Sequence, residues 1–311
     1  MSDSAVPLGA PLVARLWQYQ RERFPLAAHG PLVVVLAVTS VAHASALRAP
    51  GPPPGLFAYL AAAVEALLAF LLLRIADEFK DAEDDRRQRP YRPVPRGLVT
   101  LPELAALAVA ALVTQAALVL AFDPRLLVPL GIFWAYAAAA TAEFGVGSWL
   151  RRRPLAYALT HLPMVAWIHW VAASWAGLRA GASNPALIWF LAAGSALGFV
   201  FELGRKSRAP EDEEAGVVTY TAAWGASRAA LAWIVGVLAA CLLSLLALRA
   251  LGAPTPMAPV VLLVGAVCGA IAMRFAARPD RAAARAIELA SVLLAFALYS
   301  LLFLASSGLL P

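Results

Sequence analysis

Residues 56–76 read LFAYLAAAVEALLAFLLLRIA and pass without a break into DEFKDAEDD at 77–85. The first part carries one ionisable side chain, Glu65, before Arg74. Wound as a helix at 1.5 Å per residue it reaches about 30 Å, the thickness of bilayer hydrocarbon. The second part is a run of charge too costly to bury in lipid. A spanning helix that ends in a charged loop is thus the unit from which the fold is read.

The same unit recurs along the chain. Spans are expected at 26–47, 56–76, 101–121, 126–143, 155–177, 184–203, 227–248, 258–276 and 286–308, with turns marked by Pro50 to Gly55 and Gly252 to Pro256. The 311 residues are 62% hydrophobic and only 14% charged, with a mean hydropathy of +0.74. That apolar surplus exceeds what one water-soluble core hides, so the expectation is an all-α integral membrane protein with nine transmembrane helices.

The net charge of +6 does not indicate a nucleic-acid partner, because the basic residues sit between apolar runs. When the loops are assigned alternately, 21 of the 25 Lys and Arg fall on the N-terminal side; only Arg48, Arg125, Arg179 and Arg249 fall on the other. The positive-inside rule then puts the N-terminus in the cytoplasm. The chain divides into a cytoplasmic N-terminal segment, 1–25, and a transmembrane domain, 26–311, with acidic loops at 77–100 and 204–226. No cleavable signal peptide is expected, since the first twenty residues lack an apolar run before a small-residue cleavage site. An Ala-, Leu- and Arg-rich multi-pass chain points to a prokaryotic plasma (inner) membrane. Cys241 and Cys268 lie in apolar runs and read as core-filling residues.

In the first charged loop, Asp77, Asp81 and Asp85 recur at i, i+4 and i+8, with Glu78 beside them. On a helix they form one carboxylate stripe, expected at the membrane surface and outside the packed core. Like charges so placed repel unless a cation sits against them, and Mg²⁺ takes a few carboxylates together with substrate phosphate and water. Six acids and six bases over 77–96 equally describe a solvated loop. Composition leaves both readings open.

The order of residues resembles the UbiA superfamily of intramembrane prenyltransferases. Its first motif runs Asn or Asp, Asp, two residues, Asp, three residues, Asp, and then an Arg-Pro-x-Pro-x-Gly segment. Asp77 stands where the family has Asn and Glu78 where it has Asp; Asp81 and Asp85 fit directly, and Arg92-Pro93-Val94-Pro95-Arg96-Gly97 matches the segment that follows. The second motif is Asp, three residues, Asp, then Gly, Ser or Thr, and a later Gly. Asp212, Gly216, Thr219 and Gly225 fit it, but Arg208 occupies the position of the first Asp. Glu211 or Glu202 is the neighbouring carboxylate that would replace it. Both loops end alike, in Gly97-Leu98-Val99-Thr100 and Gly216-Val217-Val218-Thr219.

The resemblance implies a UbiA-like bundle and a Mg²⁺-dependent transfer of a prenyl group from a prenyl diphosphate to an aromatic or other small acceptor within membrane lipid. It implies Glu78, Asp81, Asp85 and Asp212 as Mg²⁺ ligands, Asp77 as a positioning residue, and Arg92 or Lys206 as diphosphate contacts. Arg208 is either a cation facing diphosphate or, with Arg205 and Lys206, an anchor to anionic headgroups. A terpene cyclase of the same fold, and a non-catalytic lipid-binding or transport protein, are the alternatives.

Within the spans, Glu65 calls for a polar cavity or a partner, or reads equally as a protonated, hydrogen-bonded structural residue. Glu143 and Glu288 lie near the interfaces, while His161 and His169, among Trp167, Trp170 and Trp175, read as part of a buried or interfacial face.

Overall fold

In lipid the backbone finds no water to bond, so an Ala-, Leu- and Val-rich chain closes its hydrogen bonds locally as helix. The computed structural model describes residues 9–48, 52–177, 184–214, 217, 219–252 and 257–309, and every regular element among them is helical. The turns at Pro50 to Gly55 and Gly252 to Pro256 lie partly outside the described residues, and Gly216 lies wholly outside them.

The helices are α1 (Leu12–Arg23), α2 (Leu26–Leu47), α3 (Leu56–Lys80), α4 (Ala82–Gln88), α5 (Leu101–Phe122), α6 (Leu127–Thr141) and α7 (Gly147–Arg151). They continue with α8 (Pro154–His161), α9 (Pro163–Ser174), α10 (Leu187–Arg205), α11 (Tyr220–Trp224), α12 (Ala226–Ala250), α13 (Met257–Ala277) and α14 (Arg281–Ser306). Among the described residues eight stretches are long and apolar enough to cross a membrane, with α8 and α9 counted together as Pro154–Ser174.

The remaining predicted span, 126–143, the fourth in chain order, is a shorter element. Its helix α6 has 15 residues, about 22 Å, and stops where Glu143 and Phe144 take φ of 49° and 53°, a conformation that ends a right-handed helix. The predicted span 155–177 is broken at Leu162–Pro163, where the ring of Pro163 removes a donor and crowds the preceding turn.

Helix α2 packs against α3, α9 and α14, and α10 packs against α9, α12 and α14. Helix α3 leans on α5 and α9, and α13 bridges α12 and α14. Small residues let these helices approach, as is usual where lipid supplies no hydrophobic drive for association. At Gly194 the His169 ring occupies the space a Cβ would fill. His169 is wholly buried; its Nδ1 lies 2.8 Å from Ser40 Oγ and its Nε2 lies 2.8 Å from the Tyr299 hydroxyl. Ser40 donates to Leu36 O at 2.7 Å, so Nδ1 of the imidazole carries the proton and Nε2 accepts from Tyr299. The network joins α2, α9 and α14 with every polar group on His169 satisfied. Both cysteines are buried thiols.

Candidate functional site

The acidic stripe lies where α3 leaves the bundle. Helix α3 ends at Lys80, Asp81 accepts the turn, and α4 begins at Ala82, so the motif acids are carried by two nearly continuous helices. Beyond them Gly97 takes φ +79°, a left-handed turn suited to glycine. Thr100 then caps α5 in a capping box with Glu103. Thr219 caps α11 in the same manner, its Oγ1 accepting from Ala222 N at 3.0 Å. Each loop thus ends in a threonine that caps the next helix.

The motif acids fall into two groups. Glu78 is 2% exposed and faces Arg23 Nε at 2.6 Å, with Arg74 Nε at 3.7 Å. Asp85 is also 2% exposed, its Oδ1 2.9 Å from Arg89 Nη1 and its Oδ2 2.6 Å from Arg92 Nη1. The expectation that Asp85 lies at the surface outside the packed core is corrected: two guanidinium groups enclose it. Asp77 remains exposed and meets Arg74 only at 3.3 Å. Asp81 is half-buried and has no direct ion-pair partner among the described residues. Its carboxyl is pushed above the usual aspartate range, first by burial and then by repulsion from Asp77 and Asp85.

Neighbouring elements complete the rim. Lys80 bonds the Tyr157 hydroxyl, lies 4.7 Å over the Tyr157 ring and pairs with Glu143 at 3.2 Å. From the second loop, Arg205 interacts electrostatically with Asp77 as well as with Glu202. Glu202 also pairs with Arg205 and Lys206, each at 2.7 Å. Tyr220 is buried and stays a neutral hydroxyl, its pKa raised by burial and by nearby Glu202.

The rest of the second loop looks toward α14 and toward itself. Asp212 Oδ1 is 2.8 Å from Arg281 Nε, and Glu211 Oε1 is 3.9 Å from the same nitrogen. Arg208 Nη1 donates to Glu214 Oε1 at 2.9 Å and to Asp212 O at 3.2 Å. Glu213 accepts from Thr219 and Thr221.

Among the described residues no three His, Cys, Asp or Glu side chains converge as a ready-made metal cage. Mg²⁺ that is shared with a phosphate needs only one or two protein carboxylates. Asp77 and Asp81 suit that demand: they stand one helical turn apart, Asp77 exposed and Asp81 half-buried, and are held together against their own repulsion.

Sequence reasoning did not single out Lys80, Tyr157, Arg205 or Tyr220 as parts of this rim. The adjacency of Lys80 to Asp81 was legible; the approach of Tyr157 and Tyr220 was not, because it depends on which helices are neighbours. Deeper in the bundle Glu65 is 1% exposed and packs among Ala66, Ala69, Phe133, Ile168 and Val171. Its carboxyl oxygens have no well-formed hydrogen bond among the described residues.

The sequence model of the UbiA prenyltransferase family matches residues 35–301. A comparison with curated protein sequences finds no match. Among solved structures, one described as concerning digeranylgeranylglyceryl phosphate synthase in membranes is similar at 12% identity, covering 95% of this chain and 99% of that one, with a TM-score of 0.65. The apo structure of a UbiA homolog from Aeropyrum pernix K1 is similar at 17% identity, covering 87% and 97%, with a TM-score of 0.64. A UbiA homolog from Archaeoglobus fulgidus is similar at 15% identity, covering 91% and 99%, with a TM-score of 0.50. At such identities the structural likeness is one of fold.

Proposed function

The chain belongs to the UbiA prenyltransferase family, and from this footing we propose that it transfers a prenyl group from a prenyl diphosphate to a small acceptor in a Mg²⁺-dependent reaction at the acidic-loop end of the bundle. The observation that carries this reading is the pair Asp77 and Asp81. These are motif carboxylates that no guanidinium among the described residues encloses, Asp77 exposed and Asp81 half-buried, and the charge of Asp77 acts on Arg205 at the end of α10.

Asp77 and Asp81 would hold Mg²⁺, with Glu78, Asp85 and Asp212 as the remaining acids of the proposed set once they exchange a guanidinium partner for the cation. Bound Mg²⁺ supplies charge neutralisation for the departing diphosphate. The other roles belong to the chain itself. Arg205 and Lys206 bring positive charge toward the same end, where guanidinium and ammonium groups bond phosphate oxygens. Arg92 is the further diphosphate contact proposed from the first loop, and Arg208 from the second; Glu202 holds Arg205 and Lys206 at 2.7 Å, and Glu211 faces Arg281 at 3.9 Å. In the reaction the allylic C–O bond breaks, its electron pair leaves with diphosphate, and an acceptor nucleophile captures the carbon and then gives up a proton. Exclusion of water from the cation falls to the helices that surround the tail.

The test is incubation of purified protein with Mg²⁺ and prenyl diphosphates of several lengths, with and without candidate acceptors. Release of diphosphate that requires an acceptor supports transfer. Release without one, with a cyclic product, replaces transfer by cyclisation. Wild-type protein that matches an Asp81→Ala control under every condition overturns both.

A further inference from the structure

Helix α1 precedes the residues that the family model matches, yet it is fastened to the first acidic loop at several points. Arg23 meets buried Glu78 at 2.6 Å. Glu22 takes two bonds from Arg96, at 2.8 and 2.7 Å. Arg15 donates to Glu103 at 3.0 and 2.6 Å and to Leu98 O at 3.0 Å. Tyr19, 1% exposed, packs with Ile75, Leu98, Val99 and Leu104 in a small core of its own.

Those partners fix the height of α1. Ile75 lies at the end of α3 and Leu104 in the first turn of α5, while Leu71 and Leu107 reach about one turn further into the spans. Only Phe24 and Pro25 separate α1 from the start of α2. The helix therefore lies beside the point where the spans leave hydrocarbon. Arg15 and Arg23 are half-buried against the first loop while the Glu22–Arg96 pair stays exposed, and α1 leaves Leu12, Val13 and Trp17 at 44%, 79% and 62% exposure. On α5, which α1 meets through Leu104, Leu107 and Ala108, the valines Val109 and Val113 are 58% and 62% exposed. Aromatic and apolar side chains on a short helix at this height suit the boundary between acyl chains and headgroups.

We propose that α1 is an interfacial anchor: Leu12, Val13 and Trp17 seat it in the lipid on the acidic-loop side, and Arg23 and Glu22 pass that seating to the first acidic loop. The occupant of the exposed face is the bilayer surface. Removal of the lipid contact loosens the strut that Arg23 places on Glu78, itself one of the acids proposed for Mg²⁺.

Spin labels test this directly, without reference to catalysis. In a Cys241→Ala, Cys268→Ala background reconstituted in liposomes, labels at Val13→Cys and Trp17→Cys are compared with Val113→Cys in a lipid-facing span and Arg86→Cys on exposed α4. Oxygen and nickel-chelate accessibilities should place positions 13 and 17 between the two references. Accessibility equal to that at position 86 overturns the proposal, as does shielding from both probes with dipolar coupling between molecules, which would make the face a contact between two copies. Unlabelled protein gives a second measurement: relative to wild type, Trp17→Phe should lose a fluorescence component quenched by lipids brominated near the headgroup. An unchanged quenching profile would sink the assignment.

Discussion

Lys80 Nζ stands 3.2 Å from Glu143 Oε1, an ion pair that ties the end of α3 to the left-handed turn closing α6. Glu143 is also 2.7 Å from Arg151 Nη1, so one buried carboxylate serves two cations, and Phe144 beside it holds a φ of 53° that costs a bulky residue energy. Lys80, so fixed, precedes Asp81 in the chain, and its charge favours the ionised form of that acid.

A double-mutant cycle with Lys80→Ala and Glu143→Ala should therefore show coupling of about 1–3 kcal/mol, read from thermal or denaturant unfolding in detergent. Additive effects would mean that the turn at Glu143 is held by Arg151 alone.

Asp85→Ala and Asp81→Ala should part company. Asp85 is enclosed by Arg89 and Arg92, so its loss strands two cations and should destabilise the fold by about 3–5 kcal/mol. Asp81 has no such partner among the described residues, so Asp81→Ala should leave unfolding nearly unchanged while lowering Mg²⁺-dependent diphosphate release by about 10²-fold or more. Parallel melting curves and turnover assays on the two variants check this.

The raised pKa of Asp81 predicts the sign of a pH effect. A carboxyl whose folded-state pKa lies above its unfolded value binds its proton more tightly when folded. Its contribution to stability is therefore lost as pH rises from the ordinary aspartate range through the raised value. Asp81→Asn should flatten that part of the stability–pH profile, and Asp77→Asn should reduce it by removing one source of repulsion. Added Mg²⁺ should raise the melting temperature of wild type more than that of Asp81→Asn.

The buried chain from Ser40 through His169 to Tyr299 should behave as structure. Tyr299→Phe removes the donor to His169 Nε2 at 2.8 Å and leaves that nitrogen unsatisfied, a cost of about 1–3 kcal/mol. Melting of the variant in detergent measures it, and an unchanged transition would place the imidazole elsewhere.

Much of the fold is determined by the sequence alone, because span length, apolar composition and the placement of Lys and Arg act locally and along one axis. The helices, the charged loops at their ends and the likeness of those loops to the UbiA motifs follow from such patterns. Pro163 and the left-handed turn after Thr141, which break or shorten two predicted spans, are also local, but their effect depends on neighbours that stabilise the interruption. The division of the acids is different. Glu78 and Asp85 lie in the same stripe as Asp77 and Asp81, and no spacing rule separates them; what separates them is Arg23, 55 residues away from Glu78, and the fold of 89–92 back onto Asp85. A charge is open or paired according to which other charge the tertiary packing brings within a few ångströms, because Coulomb attraction is short-ranged in its useful effect and indifferent to chain order. Only the three-dimensional arrangement decides that.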